Sequence, residues 1–248
     1  MLYLALGLVI LAGILTGIAL YRKPNALFIL AYEKIGKAPQ NSRLKNEWIT
    51  VKQLKKTLLW LRKHHFTPVR GNLSNLPQKP VLLAFMGGHQ AFISDIFPLL
   101  QEFQMPAMLF VPVNLTGTYN TWQNPHQEPW QNLLTEKELK ALAQSGLISF
   151  GAISLNGEDL SALPADQAAY LAQEGVFRLH TQLGLKAEGF AFYPAEKKIK
   201  NITEIAPKNL TVFIDNPTPN ALTQKAVLNV FFPQKHPWKT FWNLFIRR

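Results

Sequence analysis

The chain has 248 residues, of which 48% are apolar, and it contains no cysteine. This length and composition exclude a disordered chain, and the lack of cysteine excludes structural disulfides, thiolate metal sites and cysteine nucleophiles. The net charge of +11 favours an anionic partner such as an acidic glycan, phospholipid head groups or nucleic acid, and the charge alone does not choose among them.

The first 20 residues contain no charged side chain and are long enough to cross the ~30 Å hydrocarbon core of a bilayer. We therefore predict a transmembrane anchor over residues 1–21. A cleaved signal peptide and a buried helix are less favoured, because no basic segment precedes the apolar run and Tyr21-Arg22-Lys23-Pro24 is a poor cleavage site. Since Arg22 and Lys23 directly follow the anchor, the positive-inside rule favours a cytoplasmic location for the rest of the chain.

After the anchor, apolar residues 27–32 predict a short strand. A helix follows, because apolar residues recur at helical spacing against a lysine-rich face at Val51, Leu54, Leu58 and Leu61. His64 and His65 at its end are interpreted as solvated residues favoured by the helix dipole rather than as metal ligands. Residues 66–69 predict a second strand.

The central stretch begins with a buried strand over residues 81–85. The strand stops at Met86-Gly87-Gly88-His89, and a helical segment carrying Phe92 and Ile96 follows. Paired glycines permit a turn with positive φ, and loops at the carboxyl ends of parallel strands are where α/β proteins carry their chemistry. This turn is therefore a candidate functional loop.

The later chain alternates predicted strands and helices. Strands are predicted at 107–112, 190–194, 210–214 and 227–232. A helix is predicted after the capping box formed by Thr135 and Glu138. Another helix is predicted from Leu163 to Gly184, although Gly175 lowers its helix propensity. The polar loop 114–130 carries aromatic side chains that could stack on sugar rings or pack as a surface lid. Residues 236–248 form an amphipathic aromatic tail, which lies on lipid or packs on the domain.

Several segments resemble the polysaccharide deacetylases of the NodB-homology family (carbohydrate esterase family 4). The turn segment L-A-F-M-G-G-H resembles the family's L-T-F-D-D-G-Y, A-M-L-F-V-P resembles A-T-F-F-V-P, and residues 146–160, G-L-I-S-F-G-A-I-S-L-N-G-E-D-L, resemble G-L-I-E-F-G-S-H-T-x-S-H-P-D-L. The resemblance covers about residues 25–232. It implies one α/β domain over residues 22–248, a distorted (β/α) barrel of the NodB type.

The resemblance also implies which positions would carry the chemistry. In the family, one motif aspartate acts as the general base, and a second aspartate with two histidines holds a divalent metal. Those positions here are Met86, Gly87, Ile153 and Gly157. None of these side chains binds a hard or borderline divalent cation. We therefore predict no metal, no other cofactor and no family-type deacetylation; Met86 and Ile153 either fill the former metal site or leave an open cleft.

Our first hypothesis is a deacetylase-like pseudoenzyme, an accessory or structural subunit of a membrane or envelope assembly. Its partners would be the bilayer, other membrane proteins and a polysaccharide; nucleic acid is disfavoured because no interleaved aromatic and basic motif occurs. The resemblance implies the outer side of the cytoplasmic membrane, against the positive-inside rule. The alternative is a divergent carbohydrate hydrolase built on Glu33, His89, Asp95 or His126. Candidate cleft or glycan contacts are Glu33, His89, Trp122, His126, Trp130 and Tyr193.

Overall fold

The computed structural model describes residues 27–71, 73–193, 202–215 and 227–230. The predicted anchor at 1–21 and the tail at 236–248 lie outside these ranges. In the part of the chain that the structure describes, no helix combines the length and apolar character needed to cross a bilayer.

The described strands form one parallel sheet of eight strands, in the order β1-β3-β4-β5-β6-β7-β8, with β2 paired to the start of β3. Strand β8 also approaches β1, so the sheet curls towards a barrel. The prediction of a distorted (β/α) barrel is confirmed as far as an α/β fold with a curled parallel sheet. The strands are β1 Phe28–Tyr32, β2 Thr67–Pro68, β3 Pro80–Met86, β4 Ala107–Val111, β5 Ile148–Ala152, β6 Ala187–Ala191, β7 Thr211–Asp215 and β8 Val227–Val230.

Helices connect the strands on the outside of the sheet. They are α1 Val51–Lys63, α2 Phe97–Phe103, α3 Glu136–Gln144, α4 Ala165–Thr181 and α5 Ile202–Ile205. A π-helical turn, Phe92–Ile96, leads into α2, and short 3₁₀ turns lie at Lys45–Glu47, Val113–Leu115 and Leu160–Ala162. The predicted capping box is confirmed: the Thr135 side chain accepts a hydrogen bond from the Glu138 backbone, and the Glu138 carboxylate accepts one in return.

Apolar side chains cover both faces of the sheet. Leu54, Leu58 and other helix residues pack on the outer face, while a separate inner cluster fills the barrel. Because both faces are buried, the strands are continuously apolar rather than alternating, as expected for a parallel sheet. The inner cluster of fully buried residues includes Ile29, Leu82, Ala84, Met86, Met108, Phe110, Ile153, Ala191, Tyr193 and Phe213.

Two residues of helix α4 are notable for their environment. Phe177, although apolar, is 61% exposed, because the buried face of the helix is formed by Ala168, Ala172, Gly175 and Leu179. Gly175, the residue that weakens the helix by propensity, lies against the chain after β5: a β-carbon there would be 2.7 Å from the Ile153 carbonyl oxygen. A side chain at this position would push α4 away from the sheet.

Candidate functional site

The candidate site lies at the carboxyl ends of the strands. Glu33 directly follows β1, Gly87 follows β3, Ile153 follows β5, and Tyr193 lies two residues after β6. The neighbouring ends of parallel strands meet at one edge, so the fold brings these residues together although up to 160 residues separate them along the chain.

Two of the four degenerate positions carry apolar side chains that belong to the barrel interior. Met86 ends β3 with 2% of its surface exposed, and Ile153 is fully buried. Both pack in the inner cluster with Phe110 and Tyr193. They therefore lie in the apolar core, where a hydrated cation would be costly to bury.

The other two degenerate positions are glycines covered by Trp122. Gly87 and Gly157 have φ of +88° and +75°, a region that favours glycine. A β-carbon on Gly157 would lie 2.6 Å from Trp122 Cε3, and one on Gly87 would lie 3.1 Å from Trp122 Cζ2 and 2.9 Å from His89 Nε2. The indole and the imidazole thus occupy the space into which side chains at these positions would project.

A buried polar cluster lies beside this indole, centred on the Glu33 carboxylate. Glu33 accepts hydrogen bonds from the Tyr193 hydroxyl at 2.5 Å and from the Gln123 amide at 3.1 Å, and Lys34 Nζ lies 3.9 Å away. Burial acts to raise the pKa of Glu33, but His89, Lys34 and Tyr193 together outweigh it and hold the pKa at about 2. Glu33 is therefore ionised at neutral pH.

His89 faces this carboxylate without a hydrogen bond to it. Its Nε2 lies 3.9 Å from Glu33 Oε1, beyond hydrogen-bonding distance, and its ring meets the Trp122 ring edge-on with centroids 5.9 Å apart. Among the described residues, neither imidazole nitrogen has a hydrogen-bond partner, and the same holds for Trp122 Nε1. Buried polar atoms without partners are uncommon in folded proteins and mark places that need an explanation.

Tyr193 serves as a hydrogen-bond donor in this cluster. Burial raises the pKa of its phenol well above the usual value, and the charge of Glu33 raises it further. The hydroxyl therefore keeps its proton and donates a hydrogen bond to Glu33. The carboxylate of Asp215, at the end of β7, also contributes to this shift, so β7 supplies a further charge to the site.

Trp122 is held in place because its loop is anchored on the segment after β1. Glu128 is fully buried; it accepts hydrogen bonds from Ser42 Oγ at 2.5 Å and from Trp48 Nε1 at 3.2 Å. Trp130, itself 46% exposed, donates its indole N–H to the Gln123 carbonyl at 2.8 Å. Loop 114–130 is therefore a packed lid.

The outer side of this lid forms a groove of about 490 Å³. Its lining combines one indole, several amide groups and two carboxylates: Trp122, Gln123, Asn124, Gln127, Asn156, Glu158 and Asp159. Indole faces stack on sugar rings, amide side chains both donate and accept hydrogen bonds, and carboxylates accept them. The groove thus has the chemistry of a site for a polar ligand rich in hydroxyl and N–H donors.

The structure sorts the six predicted contacts into two groups. Glu33, His89, Trp122 and Tyr193 come together, whereas Trp130 supports the loop through its indole N–H and His126 is exposed outside the groove. The loop turns Trp122 inward and leaves His126 on its outer surface, so the glycan contact proposed for His126 stays a prediction. Sequence reasoning missed Gln123 and Glu128, since an amide and an acid in a polar loop carry no pattern that distinguishes them from solvated residues.

The residues present do not fit the metal that the family resemblance implies. Across residues 27–71, 73–193, 202–215 and 227–230, no group of three or more histidine, aspartate or glutamate side chains could hold an ion. The positions that would supply ligands carry a thioether, an aliphatic side chain and two glycines, and Trp122 covers the glycines. The donor set needed for a hard or borderline divalent cation is missing from these positions.

The curled parallel sheet, with its loops gathered at the carboxyl ends, defines the fold of the NodB-type polysaccharide deacetylases. A de-N-acetylase from Aggregatibacter actinomycetemcomitans superposes with a TM-score of 0.71 at 16% identity, covering 88% of this chain and 99% of that one. The Streptococcus pyogenes deacetylase PplD superposes with a TM-score of 0.69 at 19% identity, covering 90% of this chain and 99% of PplD. IcaB from Ammonifex degensii superposes with a TM-score of 0.70 at 20% identity, covering 89% of this chain and 97% of IcaB. The predicted resemblance is confirmed at the level of the fold.

A closer likeness in sequence is confined to a short stretch. The poly-β-1,6-N-acetyl-D-glucosamine N-deacetylase of Escherichia coli K12 is 39% identical over 64 residues, and that of strain O157:H7 matches to the same degree. The matched stretch is 22% of this chain but spans only 9% of the length of the enzyme. No family model matches the chain.

Proposed function

We propose that this protein is a membrane-anchored, deacetylase-like pseudoenzyme that binds a polysaccharide as an accessory or structural subunit of an envelope assembly. The observation that carries the proposal is the position of Trp122 over Gly87 and Gly157. Metal-assisted amide hydrolysis needs an open coordination position and a base beside it. Here an indole fills that space, and no acidic side chain replaces the base at Met86 or Gly87.

The groove outside Trp122 supports the binding part of the proposal. It offers an aromatic face and neutral amides at the edge where the related fold carries out its chemistry. The sequence relatives are named for poly-β-1,6-N-acetyl-D-glucosamine, so N-acetylglucosamine oligomers with that linkage are the ligands to test first. A protein can keep the fold and a binding surface while lacking catalytic activity, because function depends on the residues of the site rather than on the fold.

Two assays on the same oligosaccharide test this proposal. We expect no acetate release, with or without added zinc or cobalt, and saturable binding detected by tryptophan fluorescence or calorimetry. Gln127→Ala, in the groove, should weaken binding, and Gln144→Ala, at the end of α3 and away from the groove, is the matched control. Metal-dependent acetate release by the wild-type protein would refute the pseudoenzyme.

The accessory role and the anchor need a separate measurement. Full-length protein purified from its native membrane in mild detergent should bring other membrane proteins with it, and deletion of residues 1–21 should release the domain from the membrane. Protease accessibility in intact and opened cells would decide which side the domain occupies. A protein that purifies without partners would contradict the accessory role and leave ligand binding in the groove as the function to test.

The Glu33–His89 pair favours a second candidate, a divergent hydrolase. Within the described part of the chain the His89 nitrogens have no hydrogen-bond partner, and Nε2 lies 3.9 Å from the ionised Glu33 carboxylate. An imidazole next to a carboxylate is a combination that general-base catalysis uses. This candidate predicts metal-independent hydrolysis of an acetylated sugar that is lost in His89→Gln and kept in His126→Gln. Equal activity of these two variants would refute it.

A further inference from the structure

The end of the sheet opposite the candidate site carries a group of exposed cations. Because the strands are parallel, the segments that lead into them meet at this end, which we call the amino edge. In the described part of the chain, the exposed cations on these segments are Lys63, Arg70, Lys79, Lys186 and Lys208.

Contacts and sequence positions locate three of these cations at the strand starts. Lys79 directly precedes β3, and its Nζ donates to the His64 carbonyl at 3.3 Å, where α1 ends. A β-carbon on Gly146, two residues before β5, would lie 3.5 Å from Arg70 Nη2. Lys186 directly precedes β6. The positive charges are therefore spread along the amino edge from β3 to β6.

Few acids are available to neutralise these cations. The described segments between each helix and the following strand contain no acidic residue, and Glu188, at the start of β6, has its Oε2 atom buried. The acids just before those segments lie inside helices: Glu102 pairs with Lys55, and Glu204 belongs to α5. The helix dipole favours Lys63, at the end of α1, but not cations that directly precede strands. The amino edge therefore carries a net positive charge.

The groove at the opposite end of the sheet has the other sign of charge. The described residues that line it include Glu158 and Asp159 but no lysine or arginine. A negatively charged surface is therefore attracted to the amino edge and not to the groove.

The predicted anchor joins the domain at the amino edge. It ends at residue 21, and β1 begins at Phe28, so the six residues 22–27 connect the two. Even fully extended, these residues span at most about 20 Å. Strand β1 pairs in parallel with β3 from its first residue, Phe28 beside Val81, so its start lies at the same edge as the cations. An anchored domain therefore keeps its amino edge close to the bilayer.

We propose that the amino edge docks on a bilayer surface rich in anionic phospholipid, and that docking turns the groove away from the membrane. This inference rests on the membrane anchoring in the proposed function. Lysine and arginine donate charge-assisted hydrogen bonds to lipid phosphates, and cations next to a membrane span are attracted to an anionic leaflet. Nucleic acid attracts cations too, but the short connection to the anchor brings a bilayer within reach of this edge.

Single cysteine labels measure docking in the full-length protein, because the natural chain contains no cysteine. Gln182→Cys carries a fluorophore at the amino edge, directly after α4, and His126→Cys carries one on the outer surface of the lid; both positions are exposed. The protein is reconstituted in vesicles of phosphatidylcholine, alone or mixed with phosphatidylglycerol, that contain a quencher attached to lipid head groups.

We expect the label at position 182 to be quenched at least about threefold more strongly than the label at position 126 in the phosphatidylglycerol vesicles. The difference should disappear in pure phosphatidylcholine. It should also disappear at about 1 M NaCl, where the Debye length falls to about 3 Å.

Variants assign the effect to the amino edge. Replacing its five exposed cations with glutamine should abolish the difference between the two labels. The matched control removes the same number of exposed cations from the other end of the domain and should leave the difference unchanged. The control replaces Lys37, Arg43, Lys45, Lys52 and Lys137 with glutamine.

Carbonate extraction of the same vesicles tests the anchor separately. A protein that resists extraction, with the two labels equally quenched in phosphatidylglycerol vesicles, would overturn docking and leave the anchor intact. A protein that carbonate removes, but whose label at 182 is selectively quenched before extraction, would refute the anchor and support docking. Docking would also be overturned by equal quenching at 182 in both lipids, or by the same loss in the amino-edge variant and its control.

Discussion

The six-membered ring of Trp122 lies directly on Gly157, where a β-carbon would be 2.6 Å from Cε3. The sequence resemblance implies a histidine at this position in the polysaccharide deacetylases. In this structure the indole and a side chain at position 157 exclude each other. The residue at 157 and the position of Trp122 are therefore coupled, although they lie far apart in the sequence.

Gly157→Ala should therefore destabilise the fold by about 2–4 kcal/mol, from the positive φ and from the contact with Trp122 together. Gly184→Ala is the matched control, because Gly184 has φ +66° and no atom within 4 Å of its β-carbon position. It should cost only about 1–2 kcal/mol. In a Trp122→Ala background the cost of Gly157→Ala should fall to the control value, as measured by urea unfolding. Equal costs in both backgrounds would show that the contact is not limiting.

Restoring the four family residues together provides a second test of the filled site. The variant Met86→Asp, Gly87→Asp, Ile153→His and Gly157→His should lose several kcal/mol, because it places polar groups in an apolar core and under the indole. Zinc should not restore its melting temperature while Trp122 is present. With Trp122→Gly added, zinc should raise the melting temperature. Wild-type stability of the fourfold variant, unchanged by zinc, would contradict the filled site.

The ionised Glu33 predicts a specific dependence of stability on pH. Its pKa is lowered from 4.5 to about 2 in the folded protein, so its contribution is complete above about pH 4.5 and is lost as the pH falls towards 2. The shift corresponds to up to about 3 kcal/mol. Glu33→Gln should be less stable than the wild-type protein at pH 7, and the gap should close as the pH falls from 4.5 to 2.

Equilibrium unfolding at a series of pH values measures that gap. Glu136→Gln, which removes an exposed partner of Lys140 on α3, is the control and should show a small and nearly constant difference. A gap between Glu33→Gln and the wild-type protein that stays constant or widens on acidification would mean that Glu33 is not held ionised by its neighbours.

Features that depend on local pattern were predictable from the sequence. The strands that end at Tyr32 and Met86 follow from uninterrupted apolar runs, and the start of α3 follows from the spacing of Thr135 and Glu138. Glu33 could be placed at the site because it directly follows a strand that the family resemblance aligns. Each of these inferences uses neighbours within a few positions along the chain.

The role of Trp122 could not be predicted in the same way. Trp122 and His126 share one polar loop, and the contacts that fix the loop, such as those of Glu128 with Ser42 and Trp48, come from a distant part of the chain. Those partners lie more than 75 residues away in sequence, so no periodic pattern in the loop records the contact. For Met86 and Ile153 the sequence left open whether they fill the cleft; their burial and the aromatic cover over the glycines are evident only in the structure.

The buried Glu128 should control how firmly Trp122 covers the site. Glu128→Ala leaves the Ser42 hydroxyl and the Trp48 indole N–H without their acceptor and should destabilise the protein by about 3–5 kcal/mol. Amide hydrogen exchange should accelerate across loop 114–130 more than in the β4 and β5 strands. Glu158→Ala, in the groove lining but outside this anchor, is the comparison variant. Unchanged exchange in the loop would show that other contacts hold it.

At Gly175, helix propensity and packing predict opposite effects of an alanine substitution on the free energy of unfolding. In an exposed helix, glycine to alanine stabilises by about 1 kcal/mol, and Gln173→Ala on the solvent face of α4 should be neutral or slightly stabilising. Gly175→Ala should instead destabilise by about 1–3 kcal/mol, because its β-carbon would meet the Ile153 carbonyl oxygen at 2.7 Å. Thermal unfolding of the two variants side by side measures the difference. A Gly175→Ala protein that is more stable than the wild type would mean that α4 can move away from the sheet at little cost. The predicted loss of stability would mean that the close approach of α4 positions Ile153, which packs in the inner cluster beneath the site.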